Sequence, residues 1–227
     1  MIVSGIERQS PGIRLPLRPI NEIAMVWECA LLDNPLFFYV SPSFRYVSDL
    51  NAKRCIVQLD YRYARDFVRQ AKNTVRHYLH IFDAVKSDSD VDKEKYVHDY
   101  CLNNFRYDHS FGEHSDSVLG LVLNKSAVCE GIAKFVKLSL DCLGVRNLVV
   151  HGKARNPMDD SILERHAWNI VFIEGNAYHL DVTFDMEARG TARRYDYFNL
   201  ADKDIKKDRT IISDAPACST IWQRGRP

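Results

Sequence analysis

Apolar positions recur along this chain with two periods, and the periods predict its elements. From Ser126 to Gly144 they fall at Ile132, Phe135, Val136, Leu140 and Leu143, the i, i+3, i+4 spacing of a half-buried helix. Ser126 can cap its start by accepting a backbone N–H bond, and Gly144 can end it in a left-handed conformation. Arg62 to Val85 carries the longest such pattern, with Phe67, Val68, Ala71, Val75, Tyr78, Leu79 and Phe82 on one stripe. Asn21 to Leu32 predicts a helix capped by Asn21, with Ile23, Val26, Trp27, Ala30 and Leu31 inward, stopped by Asp33-Asn34-Pro35. After the polar turn at 86–92, a helix near Asp92 to Phe105 buries Val97, Cys101 and Phe105, with His98 beside that stripe as a packing residue. Asp202 to Lys207 is a short charged helix.

The other period is two. Arg54 to Tyr61 alternates Cys55, Val57, Leu59 and Tyr61 against Arg54, Gln58 and Asp60, a one-sided strand. LFFYVS and SFRYVS predict short strands around Ser41-Pro42. Strands are also expected at RNLVVHGKA (146–154), HAWNIVFI (166–173), AYHLDVTF (177–184) and YDYFNL (195–200). Glu174-Gly175-Asn176 would make the second and third of these a hairpin, since a glycine in so short a connection signals a tight turn. Residues 155–165 are polar and predict a loop. FRYDHSFGEHSDS (105–117) has neither period and could wall a cleft, with His109 and His114 as solvated loop residues and Tyr107 as a candidate for substrate binding or support. The first 20 residues, punctuated by proline, and the last six, WQRGRP, are expected to be extended or loose. No internal repeat is present.

Composition narrows the class. The 227 residues are 46% hydrophobic, enough for one sizeable core, and the expected organisation is an N-terminal extension over 1–90 and a core over 91–227 in one compact unit. A net charge of +1 argues against nucleic acid or a membrane surface as principal partner. No run reaches the ~20 apolar residues of a membrane span. The N-terminus lacks the apolar core and cleavage site of a secretory signal, so the cytoplasm is the default compartment, with export if a leader has been removed. The six cysteines, at 29, 55, 101, 129, 142 and 218, form no CxxC pair, so no metal, cofactor or dense disulfide framework is expected.

Cys129 carries the candidate chemistry. In a helix's first turn, unpaired N–H groups and the positive dipole end favour thiolate, the nucleophilic form. The ordinary alternative is a small buried hydrophobe, and Cys142, about 220° round the same helix at ~100° per residue, is expected to be one. Gly131 would let a substrate approach. A thiolate attacking an acyl carbonyl needs a base and an orienting group. His166 and Asp181 are candidates, because any hairpin register with an odd residue sum puts them on one face. A tight turn would leave them two or four positions out of register, roughly 7–13 Å at ~3.3 Å per residue, so a longer loop or bulge is expected to close the gap. Asp185 is the alternative orienter. His151 and His179 could be ordinary sheet residues. Trp168 could shield the His–Asp bond or simply fill the core.

Three stretches, AVCEGIAKFVKLSLDCLGV, HAWNIVFIEGNAYHLDVTFD and KYVHDYCLNNFRYD, closely resemble the bacterial branch of the transglutaminase-like superfamily. With ALLDNPLFFYV and YDYFNLADKDIKKD, the resemblance covers most of residues 25–210. It implies a papain-like α+β fold in which the cysteine helix packs on an antiparallel sheet, with an N-terminal extension of helices and strands. It also implies a nucleophile, base and orienter at Cys129, His166 and Asp181. Two departures stand out. Asn124-Lys125-Ser126 replaces a glycine-containing turn before the cysteine, and Asp208-Arg209 stands where many members have Asp-His. Neither is expected to touch the triad. No dedicated calcium site is visible. The expectation is a cysteine acyl-transfer enzyme acting on peptide or protein amides, with water as acceptor and hence a peptidase. Protein crosslinking and a non-catalytic protein-binding module on the same fold are the alternatives. An arylamine acetyltransferase lacks its arginine–glycine-rich run here, and a glycan-releasing amidase lacks its paired CxxC module.

Overall fold

In the computed structural model, which describes residues 1–156, 159–187, 195–212 and 214–222, the clearest two-period segment becomes the middle of a sheet. Two compact units divide the chain, Met1–Thr74 and Val75–Pro227. In the first, β1 (Gly12–Pro16), β3 (Arg54–Tyr61) and β2 (Val40–Asp49) form an antiparallel sheet in that order. Central β3 buries Cys55, Val57 and Leu59, as its alternation requires. The first 20 residues are not loose. They form helix α1 (Ile2–Glu7) and β1, because Ile6 and Ile13 enter the core. Helix α2 (Ile20–Asp33) buries Ile23, Trp27 and Ala30 but leaves Val26 exposed, and its cap position is Pro19 instead of Asn21. LFFYVS is no separate strand. A 3₁₀ turn spans Pro35–Phe37, and β2 runs through Ser41-Pro42 with a register shift between Val40 and Phe44.

Helix α3 (Arg65–Tyr78) tightens into a 3₁₀ stretch at Leu79–Val85. In the second unit, α4 (Asp90–Asn104) is capped by Ser89, whose hydroxyl accepts from the Asp92 N–H. Short strands β4 (Arg106–Tyr107) and β5 (Ser126–Ala127) pair in parallel. Helix α5 (Cys129–Cys142) follows, burying Ile132, Phe135, Val136 and Leu140. It packs on a four-stranded antiparallel sheet of order β8-β7-β6-β9, made of β6 (Asn147–Asn156), β7 (Asp159–Ile173), β8 (Asn176–Leu180) and β9 (Arg209–Ile211). Asn169 of β7 donates to the Ala133 carbonyl of α5 at 3.0 Å, tying sheet to helix. Gly144, at φ +77°, ends the α5 segment as expected.

Several expectations are corrected. Ser126 does not cap α5. It lies in β5, and Val128 holds the cap position without a side-chain bond. Cys142 is exposed, because Leu140 faces the core and a residue two further on lies about 200° away round the helix. Most of the polar segment 155–165 is strand, with Arg155 opposite Leu163 and Lys153 opposite Arg165. Leu163, Glu164 and Arg165 are all exposed, so no apolar face marks the ribbon. AYHLDVTF leaves the sheet after Leu180 and turns into α6 (Val182–Glu187). Of YDYFNL, only Leu200 pairs, by a bridge to His179. The short helix at Asp202 is present as α7 (Asp202–Ile205). The last five residues of the C-terminal segment lie outside the described residues. Among the described residues no helix is long and apolar enough to cross a membrane.

Candidate active site

Cys129 is fixed from both sides along the chain. Upstream, Tyr107 sits opposite Ala127 in the β4–β5 pair, and the Val128 N–H donates to the Ser115 carbonyl at 3.0 Å. Downstream, Cys129 is the first residue of α5 and half-buried, so its side chain lies at the end where backbone N–H groups have no helical partner. Gly131 does not open room for a substrate. A Cβ there would meet Ser117 O at 2.9 Å and Ala127 Cβ at 2.8 Å, with Ser115 O nearer still, so the glycine lets the chain's own loop close over the helix.

His166 and Asp181 meet, and the hairpin shows how. Ile173 pairs with Asn176 around a two-residue turn at Glu174-Gly175, with φ +49° and +81°, the left-handed pair that such a turn demands. The register sum is odd, so both residues share a face, two positions out of step. Neither a longer loop nor a bulge closes the gap. Instead β8 stops at Leu180, and Asp181 leaves the ladder. Its Oδ1 accepts from the Phe184 N–H at 3.2 Å at the start of α6, and its Oδ2 lies 2.7 Å from His166 Nε2. An ionised carboxylate can only accept, so Nε2 carries hydrogen and Nδ1 is left for the thiol. Burial pushes the imidazole pKa down, but the charge and hydrogen bond of Asp181, then the side chain of Cys129, overcome it and raise it to about 9. Asp181 is fully buried. Burial pushes its carboxyl up, but His166 and Arg209 together hold it at about 2.

The walls of the site are aromatic. The Trp168 indole lies nearly parallel to the His166 ring at 5.9 Å and 17°, and Phe184 meets it edge-on at 5.0 Å. His166 is accordingly only 7% exposed. Tyr107 stands by Cys129. Burial raises its phenol well above the usual range, the Cys129 side chain adds to that, and the Cys129 backbone opposes it. At the rim, exposed His109 Nε2 lies 3.4 Å from Glu187 Oε1, and burial raises the Glu187 carboxyl.

Asp185 does not orient His166. Its Oδ2 lies 3.1 Å from His98 Nε2 and its Oδ1 accepts from the Tyr197 N–H. His98 Nδ1 faces Asp99 Oδ1 at 3.0 Å. With a carboxylate on each nitrogen, burial is outweighed and the buried His98 ring pKa rises. His98 is thus more than packing, since it bridges α4 to α6 as a doubly engaged ring.

Two groups escaped the sequence. One is Arg209, which was expected to stay clear of the triad. Its Nη2 donates to Asp181 Oδ2 at 2.8 Å, with both side chains fully buried. Its guanidinium lies 3.7 Å from the Phe184 ring centre and 4.8 Å from that of Tyr197. Nη1 sits 2.9 Å from Asp208 Oδ1 as an ion pair without hydrogen-bond geometry, and Nε is unpartnered. The other is a second trio, His179, Asp202 and Cys218, whose ligand atoms all fall within 4.8 Å. A metal does not fit it. Trp168 Nε1–H donates to His179 Nδ1 at 3.0 Å, and Nε2 faces Asp202 Oδ1 at 2.9 Å. An indole can only donate, so Nδ1 is bare and the ring's hydrogen sits on Nε2. The nitrogen aimed at the trio therefore has no lone pair to give. Metal-bound histidines show the opposite arrangement, donating their second nitrogen to an acceptor.

A family model described as "Transglutaminase-like superfamily" matches residues 62–182, more than half of the chain. The chain belongs to the transglutaminase-like superfamily. No curated protein matches it. Among solved structures, one described as a TGase aligns at 13% identity and a TM-score of 0.43, over 76% of this chain and 50% of that one. A candidate cysteine protease from Cytophaga hutchinsonii aligns at 15% identity and 0.35, over 63% of each chain. A candidate protease from Parabacteroides distasonis aligns at 11% and 0.37, over 63% of this chain and 37% of its own. This superfamily member thus spans about half the length of the TGase it matches.

Proposed function

We propose that this protein is a cysteine peptidase. Cys129 is the nucleophile, His166 the base and Asp181 the orienter, acting on peptide or protein amides. The observation that carries the reading is the His166 ring held by Asp181 on Nε2 while its other side meets the side chain of Cys129 at a helix start.

The thiolate of Cys129 attacks the amide carbon. The C–N bond breaks as the imidazolium of His166 gives its proton to the leaving amine, and an acyl-thioester remains. Water then attacks, giving a proton back to His166, and cleavage of the C–S bond releases the acid and restores the resting pair. The Cys129 backbone N–H stabilises the developing oxyanion. Trp168 and Phe184 keep water from the His–Asp bond.

The test is incubation with a peptide library, followed by mass spectrometry of the peptide containing Cys129. Acyl adducts and cleaved products, both lost in Cys129→Ala, are expected. Amine incorporation in place of cleavage would make the protein a crosslinking enzyme. Binding with no adduct and no product would leave a binding module. Turnover in the wild type should form a bell against pH, falling as the pair loses its shared proton near the raised His166 value of about 9. A rate that climbs steadily through that range would indicate an ordinary thiol.

A further inference from the structure

The carboxylate that orients His166 does not serve it alone. Asp181 Oδ2 is shared between His166 Nε2 at 2.7 Å and Arg209 Nη2 at 2.8 Å. Among the described residues, His166 and Arg209 are the cations that act on Asp181. Of the described residues, the charged and titratable groups facing the pair are Cys129 from α5, Asp181 after β8, Glu187 from α6, Arg209 from β9 and, under the Arg209 guanidinium, the Tyr197 phenol. Tyr107 from β4 and Glu164 from β7 lie on the thiol side, with His109 beyond Glu187. The His98–Asp185 pair lies behind Asp181, and His179 with Asp202 lies across Trp168. Asp208 flanks Arg209 and is partly exposed. Among these, Arg209 is the fully buried arginine in contact with the orienting carboxylate.

Charge balance gives it a function. Without a cation, buried Asp181 is neutralised best by an imidazolium beside a protonated thiol, and making the thiolate would then leave an unbalanced negative charge. With Arg209 in place, Asp181 is already paired. The neutral ring with thiol and the imidazolium with thiolate then both leave the Cys129–His166–Asp181–Arg209 group with no net charge. The unbalanced state is now the imidazolium beside an intact thiol, and it loses its proton earlier. We propose that Arg209 is a positioning residue that neutralises Asp181, so that His166 and Cys129 balance each other and the reactive ion pair persists to lower pH. This rests on the Cys–His–Asp reading above and deepens it.

The experiment follows the rate of iodoacetamide alkylation at Cys129 against pH, read by mass spectrometry, in wild type, Arg209→Lys and Arg209→Gln. The acid limb should move to higher pH in Arg209→Gln, by less than the roughly one to three units seen when an opposite charge touches the titrating group itself, because Arg209 acts through Asp181. It should stay near wild type in Arg209→Lys. An unmoved limb in folded Arg209→Gln overturns the role of Arg209 and leaves the triad reading standing. A wild type whose Cys129 alkylates no faster than exposed Cys29 and Cys142, with an ordinary thiol limb, overturns both. Should Arg209→Gln fail to fold, the wild type decides. Nitrogen NMR of His166, with ultraviolet absorbance of the thiolate, should show at neutral pH a cationic ring beside thiolate. A protonated thiol at that pH, beside either a cationic or a neutral ring, overturns the proposal.

Discussion

Two Cys–His–Asp groups lie on either side of one indole, and they differ in which ring nitrogen is engaged and in where the thiol sits. Trp168 stacks on His166 and donates its N–H to His179. On the first side, the ring bonds a buried carboxylate through Nε2, which leaves Nδ1 for the side chain of half-buried Cys129. On the second, the free nitrogen is spent on the indole and the protonated one on Asp202. Cys218 is packed among Val150, Trp168, Ile170 and Ala177, and burial pushes its thiol up to about 12. Burial also lowers the His179 ring, which Asp202 offsets only in part. Residue types therefore do not make a triad. The decisive features are which ring nitrogen is left bare and whether the thiol meets solvent and a helix start.

The largest test of this contrast is a pair of alanines. Cys129→Ala should abolish turnover with a Tm near wild type, because a half-buried side chain in a first turn leaves little cavity. Cys218→Ala should keep turnover and lose stability on the order of 1 kcal/mol, measured by thermal unfolding. The reverse pattern would exchange the roles of the two groups. Next come the orienters. Asp181→Asn cannot stabilise an imidazolium, a change that costs about 10⁴-fold in a serine triad and somewhat less here, since a thiol ionises more readily. Asp202→Asn should alter kcat only a few-fold. The smallest effect concerns the indole. In a Cys129→Ala background, Zn²⁺ should not raise the Tm, whereas adding Trp168→Phe frees His179 Nε2 to become the bare nitrogen, and Zn²⁺ should then raise it by about a few degrees. Zinc stabilisation with Trp168 intact would break the tautomer argument.

Much of the geometry near the first group was legible in the chain because it follows from parity. An odd hairpin sum is enough to place His166 and Asp181 on one face, and the stripe on α5 is enough to set the helix against the sheet. The means of closing the gap was not legible. Val182 and Phe184 fit a strand period as well as a helical turn over so few residues, so the exit of Asp181 from the ladder left no signature. Arg209 escaped because it meets Asp181 across 28 residues with no local pattern to announce it. The second trio was hidden for a similar reason, since Cys218 reaches His179 from the far end of the chain. The strand at 163–165 was missed because three successive exposed residues carry no period.

The tight turn at Glu174-Gly175 also bears on how the molecule is assembled. It brings His166 and Asp181 together across only 15 residues of chain, a small loop-closure cost. The thiol lies more than twice as far from His166 along the sequence, and its helix must dock on the sheet before it arrives. Contacts of short sequence separation form early and longer ones later. The histidine–aspartate half of the site is therefore expected to ripen first on the folding pathway, with the Cys129 thiol delivered to it afterwards, so that the imidazole is oriented before the thiol reaches it.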